Sequence, residues 1–152
     1  MLSRRTILKA ALAAPSVLVF ARAGRAATPE VFNTDGTAVH GADVVAYFRD
    51  GKPVDGLPEL SVRWRGANWR FASPDNMEAF EMDPHAYAPR YGGYCAYAMA
   101  QGAIATTVPE AWSIHEGRLY LNFSKGVRRI WRKDIPGYIE AADRNWPGVL
   151  DN

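Results

Sequence analysis

The stretch WRGANWRFASPDNMEAFEMDPHAY, residues 64–87, decides the fold, because a hairpin and a helix can be read from it in immediate succession. Large apolar and polar residues alternate over residues 60–64 and again over residues 68–71. Residues 65–67 between these runs include a glycine and suit a tight turn. We therefore predict two paired strands at this point.

A helix is predicted directly after this hairpin. Ser73 can accept a hydrogen bond from the first turn, and Pro74 suits the first helical position. Met77 and Phe80 are three residues apart and therefore lie on one face of the helix. We expect the helix to end near Asp83, which precedes a second proline.

Further along the chain, WSIHEGRLYLNF, residues 112–123, predicts a second hairpin that turns at residues 116–117. Ser124 can cap a helix that follows it. Pro136 is expected to interrupt that helix, and a last helix is predicted over about residues 137–145.

The elements together predict an α+β fold. Upstream of the first hairpin, ADVVAYF, residues 42–48, favours a short buried strand or a turn of helix. The strand pairs and helices do not alternate as regular βαβ units. With 152 residues, of which 48% are hydrophobic, the chain can form one domain with a core. We predict a small antiparallel sheet of two hairpins packed with three to four short helices.

Positive charge is concentrated at the start of the chain. Five of the 18 basic residues precede Ala27, whereas no acidic residue occurs before Glu30. The rest of the chain therefore carries 13 basic and 16 acidic side chains. A mildly acidic protein lacks the basic surface that a phosphate backbone requires, so we expect no nucleic-acid partner.

The first 26 residues have the pattern of a secretory signal. SRRTILK, residues 3–9, is followed by an apolar run over residues 10–20 and then by small residues. The paired arginines resemble the twin-arginine motif. The apolar run is shorter than the roughly 20 residues that span a bilayer, so we expect only transient membrane contact through this segment. We predict a twin-arginine signal peptide over residues 1–26 and a periplasmic domain over residues 27–152.

Five segments of the mature part carry a family resemblance. Residues 64–87 contain an aromatic hairpin ending in Phe and Ser, a helix with Phe, and then Asp-Pro and Tyr; GADVVAYF, residues 41–48, lies upstream. The other three are YGGYCAYAMAQG (91–102), AWSIHEGRLYLNFS (111–124) and DIPGYIEAADRNWP (134–147). The chain resembles the YHS-domain family and, in these last segments, an extended exported branch of it. The resemblance implies a YHS-like domain with a C-terminal helical extension.

The resemblance also implies where a metal site would lie. Metal-binding YHS domains, and the related TRASH zinc modules, place cysteines after the first Asp, after the Phe of the hairpin, and in the first turn of the helix. At the positions that align with these cysteines, this sequence has Ala46, Ala72 and Asn76. Methyl groups cannot coordinate a metal, so we expect the ancestral thiolate site to be absent.

Cys95 is the only cysteine, so an intramolecular disulfide is excluded. It closely follows Gly92 and Gly93, where the backbone can turn tightly or admit another group. One interpretation is a buried cysteine that acts as a small apolar side chain. The other is a reactive thiol or a soft metal ligand. The resemblance adds to the case for redox chemistry, because some exported members of the family are selenoproteins.

Copper or another soft transition metal is the cofactor that we consider for this chain. Cys95, His40 and Met99 form the candidate donor set, because a Cys, His and Met combination suits copper. His85 and His115 are the remaining histidines. No two of these five residues have a recognised ligand spacing.

A ligand-binding surface is predicted around His40, Asp43, Tyr94 and Tyr97. The leading hypothesis is a non-catalytic periplasmic module that binds a metal, a small ligand or a protein partner near Cys95. The alternative is a thiol-based redox protein in which Cys95 is the catalytic residue and the reductant is external. The sequence contains no GxSxG, phosphate loop or HExxH, so hydrolase and nucleotide-dependent activities have no support.

Two other groups of residues are interpreted as structural. Most of the five tryptophans are expected in the core, where aromatic rings bury large areas. The basic cluster of Arg128, Arg129, Arg132 and Lys133 is expected to be the solvated face of an amphipathic helix.

Overall fold

A computed structural model of the chain describes residue 24 and residues 26–152, so most of the predicted signal peptide lies outside the described residues. The strands are β1 (Asn33–Thr34), β2 (Thr37–Ala38), β3 (Leu57–Trp64), β4 (Ala67–Phe71), β5 (Trp112–His115) and β6 (Arg118–Leu121). The α-helices are α1 (Ala46–Arg49), α2 (Pro74–Met82), α3 (Pro84–Tyr87), α4 (Ala96–Ala100), α5 (Lys125–Trp131) and α6 (Ile135–Asn145).

The first predicted hairpin lies in a four-stranded sheet of order β1-β2-β4-β3. Strands β3 and β4 pair antiparallel around residues 65–66, with Trp64 opposite Ala67. Strand β2 runs parallel to β4 and pairs with it through Thr37 and Asn68. The sheet is therefore mixed.

The second predicted hairpin forms a sheet of its own. Strands β5 and β6 pair antiparallel around residues 116–117 and pair with no strand of the first sheet in the described chain. The predicted α+β class is confirmed, whereas the single antiparallel sheet of two hairpins is wrong. The edge of β4 is occupied by β2, which at two residues is too short to show an alternating pattern in the sequence.

Both predicted serine caps are present. Ser73 Oγ accepts a hydrogen bond of 3.1 Å from the backbone N–H of Asn76 at the start of α2. Ser124 Oγ accepts one of 3.1 Å from Val127 N–H at the start of α5. Each cap satisfies an N–H group that has no partner within the helix.

The last helix begins earlier than predicted. Helix α6 starts at Ile135, and Asp134 caps it by accepting a hydrogen bond of 3.1 Å from Gly137 N–H. Pro136 therefore lies in the first turn, where its missing N–H is not needed. The expectation that Pro136 separates two helices at that residue is corrected accordingly.

The core is centred on aromatic rings. The ring of Phe80 on α2 lies 5.1 Å from Phe71, 5.3 Å from Trp69 and 5.7 Å from Trp64, measured between centroids. Trp69 and Trp131 are almost completely buried, whereas the other three tryptophans are half-buried. The half-buried rings are available to a surface site.

The basic cluster does more than face solvent. Arg128 Nη1 donates hydrogen bonds to the carbonyls of Glu110 (3.1 Å) and Trp112 (3.0 Å). Arg132 Nε donates to Ser113 Oγ at 3.2 Å. These two arginines attach α5 and the turn after it to the second hairpin, while the other two basic residues of the cluster are exposed.

The two ends of the described chain lie side by side. Residues 26–28 and residues 150–152 line the same shallow depression. Within residues 24 and 26–152, no helix is long and apolar enough to cross a membrane.

Candidate functional site

Ala46, Ala72 and Asn76, predicted from the resemblance to stand in place of metal-binding cysteines, converge on one buried carboxylate, that of Asp43. The backbone N–H groups of Val45 and Ala46 donate to Asp43 Oδ1 at 2.9 and 3.2 Å. The backbone N–H of Ala72 and the side-chain Nδ2 of Asn76 donate to Asp43 Oδ2, both at 2.8 Å. Ala46 is therefore a neighbour in space of Ala72 and Asn76, although it lies far before them in the sequence.

This arrangement joins three elements through one side chain. Asp43 is fully buried and precedes α1, while its partners lie after β4 and on α2. Asn76 is held in turn by Arg49 Nη1, which donates to its Oδ1 at 2.9 Å. The four donors satisfy a carboxylate that would be costly to bury alone. Asp43, predicted as a ligand-binding residue, thus has both oxygens engaged by the protein itself.

Cys95, the predicted reactive residue, is buried, with 1% of its surface exposed. It stands at the start of α4, and its Sγ accepts hydrogen bonds from Phe123 N–H at 3.2 Å and Ala98 N–H at 3.5 Å. Its S–H points to Asn122 Oδ1 at 3.5 Å. The thiol is surrounded by polar groups, but solvent and small molecules do not reach it in this conformation.

The predicted copper donors differ in exposure. His40 is exposed, whereas Met99 on α4 and Cys95, which caps the same helix, are buried. The Nε2 of His40 donates to the carbonyl of Thr107 at 2.9 Å. The described residues contain no group of three or more His, Cys, Asp or Glu side chains that could hold a metal. The copper set of Cys95, His40 and Met99 therefore stays a prediction.

The remaining predicted ligand-binding residues lie in two places. The Tyr94 ring is 5.7 Å from that of Phe32, which His40 also contacts at 5.2 Å. The Tyr94 hydroxyl donates to the carbonyl of Pro29 at 2.8 Å. Tyr97 packs instead on Tyr138, with ring centroids 5.3 Å apart. His40 and Tyr94 are thus brought together, whereas Tyr97 is not part of that group.

A cleft of about 140 Å³ lies elsewhere, where the first hairpin, residues 90–93, the second hairpin and the end of α6 meet. We call it the arginine cleft. It is lined by three arginines and by half-buried aromatic rings. Its arginine and aromatic lining residues include Trp64, Arg65, Arg90, Tyr91, Arg118 and Trp146.

The close approach of two chain segments forms one wall of this cleft. Gly92 has φ +62°, and a Cβ atom there would collide with the carbonyl of Glu30. The carbonyl of Gly92 accepts a hydrogen bond of 2.9 Å from Phe32 N–H. Glycine permits both the left-handed backbone and the contact, as its position in the sequence suggested.

Arg90 is fixed at the base of the arginine cleft by Asp143. Its Nη2 donates to Asp143 Oδ1 at 3.0 Å, and the Tyr91 hydroxyl donates to the same oxygen at 2.9 Å. Burial lowers the pKa of Arg90, but the hydrogen bond and charge of Asp143 more than offset this, so the pKa is raised overall. Burial first, and then the hydrogen bond to Asp143, raises the pKa of Tyr91. Arg90 is therefore a permanent cation, and Tyr91 stays neutral.

The other two arginines of the cleft have different partners. Arg65 pairs with Glu30 at 2.6 Å, and its guanidinium lies 4.8 Å from the centre of the Trp64 ring. Arg118 Nη1 donates only to a neutral group, the carbonyl of His85, at 3.1 Å. Within the described residues Arg118 forms no salt bridge, so its positive charge is uncompensated.

The sequence did not reveal the arginine cleft, because Arg65, Arg90 and Arg118 are too far apart along the chain to form a motif. The pairing of tryptophans with adjacent arginines in the first hairpin was the one signal available. The described residues thus offer two candidate sites, the buried Cys95 and the arginine cleft. Neither can be assigned through a relative, because no protein-family model, no curated protein and no solved structure matches this chain.

Proposed function

We propose that this chain is an exported, non-catalytic binding protein for a small ligand, and that the ligand occupies the arginine cleft. Export to the periplasm by the twin-arginine route rests on the sequence pattern of residues 1–26. A small-ligand site of this kind is concave, partly apolar and furnished with a few convergent polar groups.

The observation that carries the proposal is the combination of open space and an arginine without a carboxylate partner in one place. Among the described residues, Arg118 lines the cleft and donates only to the carbonyl of His85. A guanidinium with further N–H groups beside open space can donate to the oxygen atoms of a ligand. A bound ligand would supply the missing partner.

The arginine cleft is a better binding site than the surroundings of Cys95. Cys95 is 1% exposed, and Asp43 and Met99, which were also predicted for ligand or metal, are fully buried. A ligand at Cys95 would therefore require the core to open first, whereas the arginine cleft needs no such rearrangement.

We also propose that the domain is related to YHS domains. In support, Ala46, Ala72 and Asn76, which align with the family's cysteines, meet at Asp43. Ala46 lies close to Asp43 in the chain, whereas Ala72 and Asn76 reach the same carboxylate from a distant segment. The cluster would then be a metal site converted to an all-protein hydrogen-bond network.

A thermal-shift screen tests the binding function. The chain is expressed with its own leader, purified, and heated with monocarboxylates, phosphates, amines and neutral sugars. We expect at least one class to raise the melting temperature, because a ligand that binds only the folded state stabilises it. The shift should disappear in Arg118→Gln and persist in Cys95→Ser and His40→Ala. A shift that is lost in His40→Ala and kept in Arg118→Gln would move the site back to the predicted surface.

A thiol-based redox function is the second candidate, and one observation favours it. Two backbone N–H groups donate to Cys95 Sγ, so the sulfur lies among polar groups although it is buried. Asn122, whose Oδ1 faces this sulfur, has an Nδ2 group that is buried without a partner in the described residues. Oxidation of Cys95 by hydrogen peroxide in the folded protein, detected by mass spectrometry as sulfenic acid, would support this function. Oxidation only after unfolding would exclude it.

A further inference from the structure

We infer that the ligand of the arginine cleft is a monocarboxylate built on a single aromatic ring. This inference rests on the proposed binding function and adds the chemical class of the ligand. It follows from the charge, the hydrogen-bond donors, the walls and the size of the cleft.

The charge of the arginine cleft matches a monoanion. Arg65 is paired with Glu30, and Arg90 is paired with Asp143. With His85 counted as neutral, Arg118 leaves one positive charge without compensation. A carboxylate with a single negative charge would neutralise it, whereas a phosphate dianion would leave an excess of negative charge in the cleft.

The donors suit a planar acceptor. Arg118 has N–H groups beyond the one that it gives to His85, and guanidinium groups bind carboxylates through parallel hydrogen bonds. A carboxylate offers two acceptor oxygens in one plane, which is the geometry that these donors require.

The walls and the volume of the cleft indicate what the apolar part of the ligand is. Trp64, Tyr91 and Trp146 present half-buried or buried aromatic surface to the cleft. Flat apolar rings pack well on such surfaces. An apolar cavity of about 150 Å³ holds one benzene molecule, and the arginine cleft measures about 140 Å³. One ring therefore fits, while two fused rings would protrude.

Isothermal titration calorimetry with five defined probes tests the inference. The protein recovered after expression with its own leader is titrated with benzoate, benzyl alcohol, cyclohexanecarboxylate, acetate and inorganic phosphate. We expect saturable binding of benzoate. Benzyl alcohol, which keeps the ring and lacks the charge, should bind at least tenfold more weakly. Acetate, which keeps the charge and lacks the ring, should also bind at least tenfold more weakly.

Variants of one exposed arginine locate the site. Arg118→Gln should weaken benzoate binding by about ten to a hundredfold, since one charge-assisted hydrogen bond is lost. Arg118→Lys should fall between Arg118→Gln and the original protein, because it keeps the charge without the planar fork. Arg129→Gln, an exposed arginine that does not line the cleft, is the matched control and should bind benzoate unchanged.

The outcomes separate this inference from the function on which it rests. If phosphate, cyclohexanecarboxylate or benzyl alcohol binds as tightly as benzoate and the binding is lost in Arg118→Gln, the cleft binds ligands but the aromatic monocarboxylate is overturned. If no probe binds and the thermal-shift screen is negative, both are overturned. Equal benzoate affinity in Arg118→Gln and Arg118→Lys would also overturn the inference.

Discussion

Replacing Asp43 by asparagine should destabilise the fold strongly, although the two side chains have nearly the same shape. The Asp43 carboxylate accepts four hydrogen bonds, two on each oxygen. An asparagine has only one acceptor oxygen, and its NH₂ group would face donors instead of acceptors. Whichever way the new amide turns, two protein donors lose their partner.

The expected magnitude follows from this loss. A buried donor without a partner costs about 1 to 3 kcal/mol. If the amide of Asn76 turns over and accepts from the new side chain, the backbone N–H of Ala72 loses its partner and Arg49 Nη1 faces an NH₂ group instead of an oxygen. If it does not, two donors remain unpaired. We expect a loss of about 2 to 4 kcal/mol, a large share of the 5 to 15 kcal/mol that stabilises an ordinary domain.

Urea unfolding followed by tryptophan fluorescence measures the effect. The midpoint should fall in Asp43→Asn with an unchanged slope, because the surface exposed on unfolding is the same. Asp75→Asn is the matched control, since Asp75 is exposed in the first turn of α2 and should contribute less than about 1 kcal/mol. A loss below about 0.5 kcal/mol in Asp43→Asn would refute the structural role of this carboxylate and restore Asp43 as a ligand-binding candidate.

Three further predictions concern the glycine contact, the thiol and the buried tyrosines. Gly92→Ala should destabilise the fold by about 2 to 5 kcal/mol, because the new Cβ collides with the Glu30 carbonyl and the backbone is left-handed. Gly66→Ala, at φ +78° in open space, should cost only about 1 to 2 kcal/mol. Equal urea midpoints for the two variants would contradict this. Cys95 should react with iodoacetamide in the native protein far more slowly than in urea, and equal rates would show that the thiol is accessible. Burial raises the pKa of Tyr47 and Tyr91, so the folded chain keeps protons that the unfolded chain releases. The stability of the fold should be complete below about pH 10 and should fall above it by up to about 1.4 kcal/mol per pH unit for each tyrosine. Urea midpoints that stay constant up to pH 11 would contradict this.

Local signals in the sequence predicted the fold where a short segment determines its own structure. The hairpin that turns at residues 65–66 and the helices that begin after Ser73 and Ser124 were predicted correctly, because turn and cap residues act within a few positions. The predicted sheet was wrong where contacts between distant residues determine which strands pair. The pairing of Thr37 with Asn68 that makes the first sheet mixed has no local signature.

The candidate sites show the same limit. Ala46, Ala72 and Asn76 were singled out through the resemblance, but that Asp43 joins them was not predicted. Cys95 has a distinctive sequence neighbourhood, which left both a buried and a reactive thiol possible. The structure shows that it is buried, and burial depends on contacts that are distant in the sequence. The arginine cleft has no sequence signature, since its walls come from five separate parts of the chain.

The juxtaposition of residues 26–28 with residues 150–152 has a practical consequence. Once residues 1–25 are removed, a short peptide could join residues 26 and 152 into a ring without crossing the surface of the protein. New ends could then be opened at the exposed Gly51 and Lys52. Such a circular permutant would leave the walls of the arginine cleft in place and free the segment near Glu30 from any attached tag.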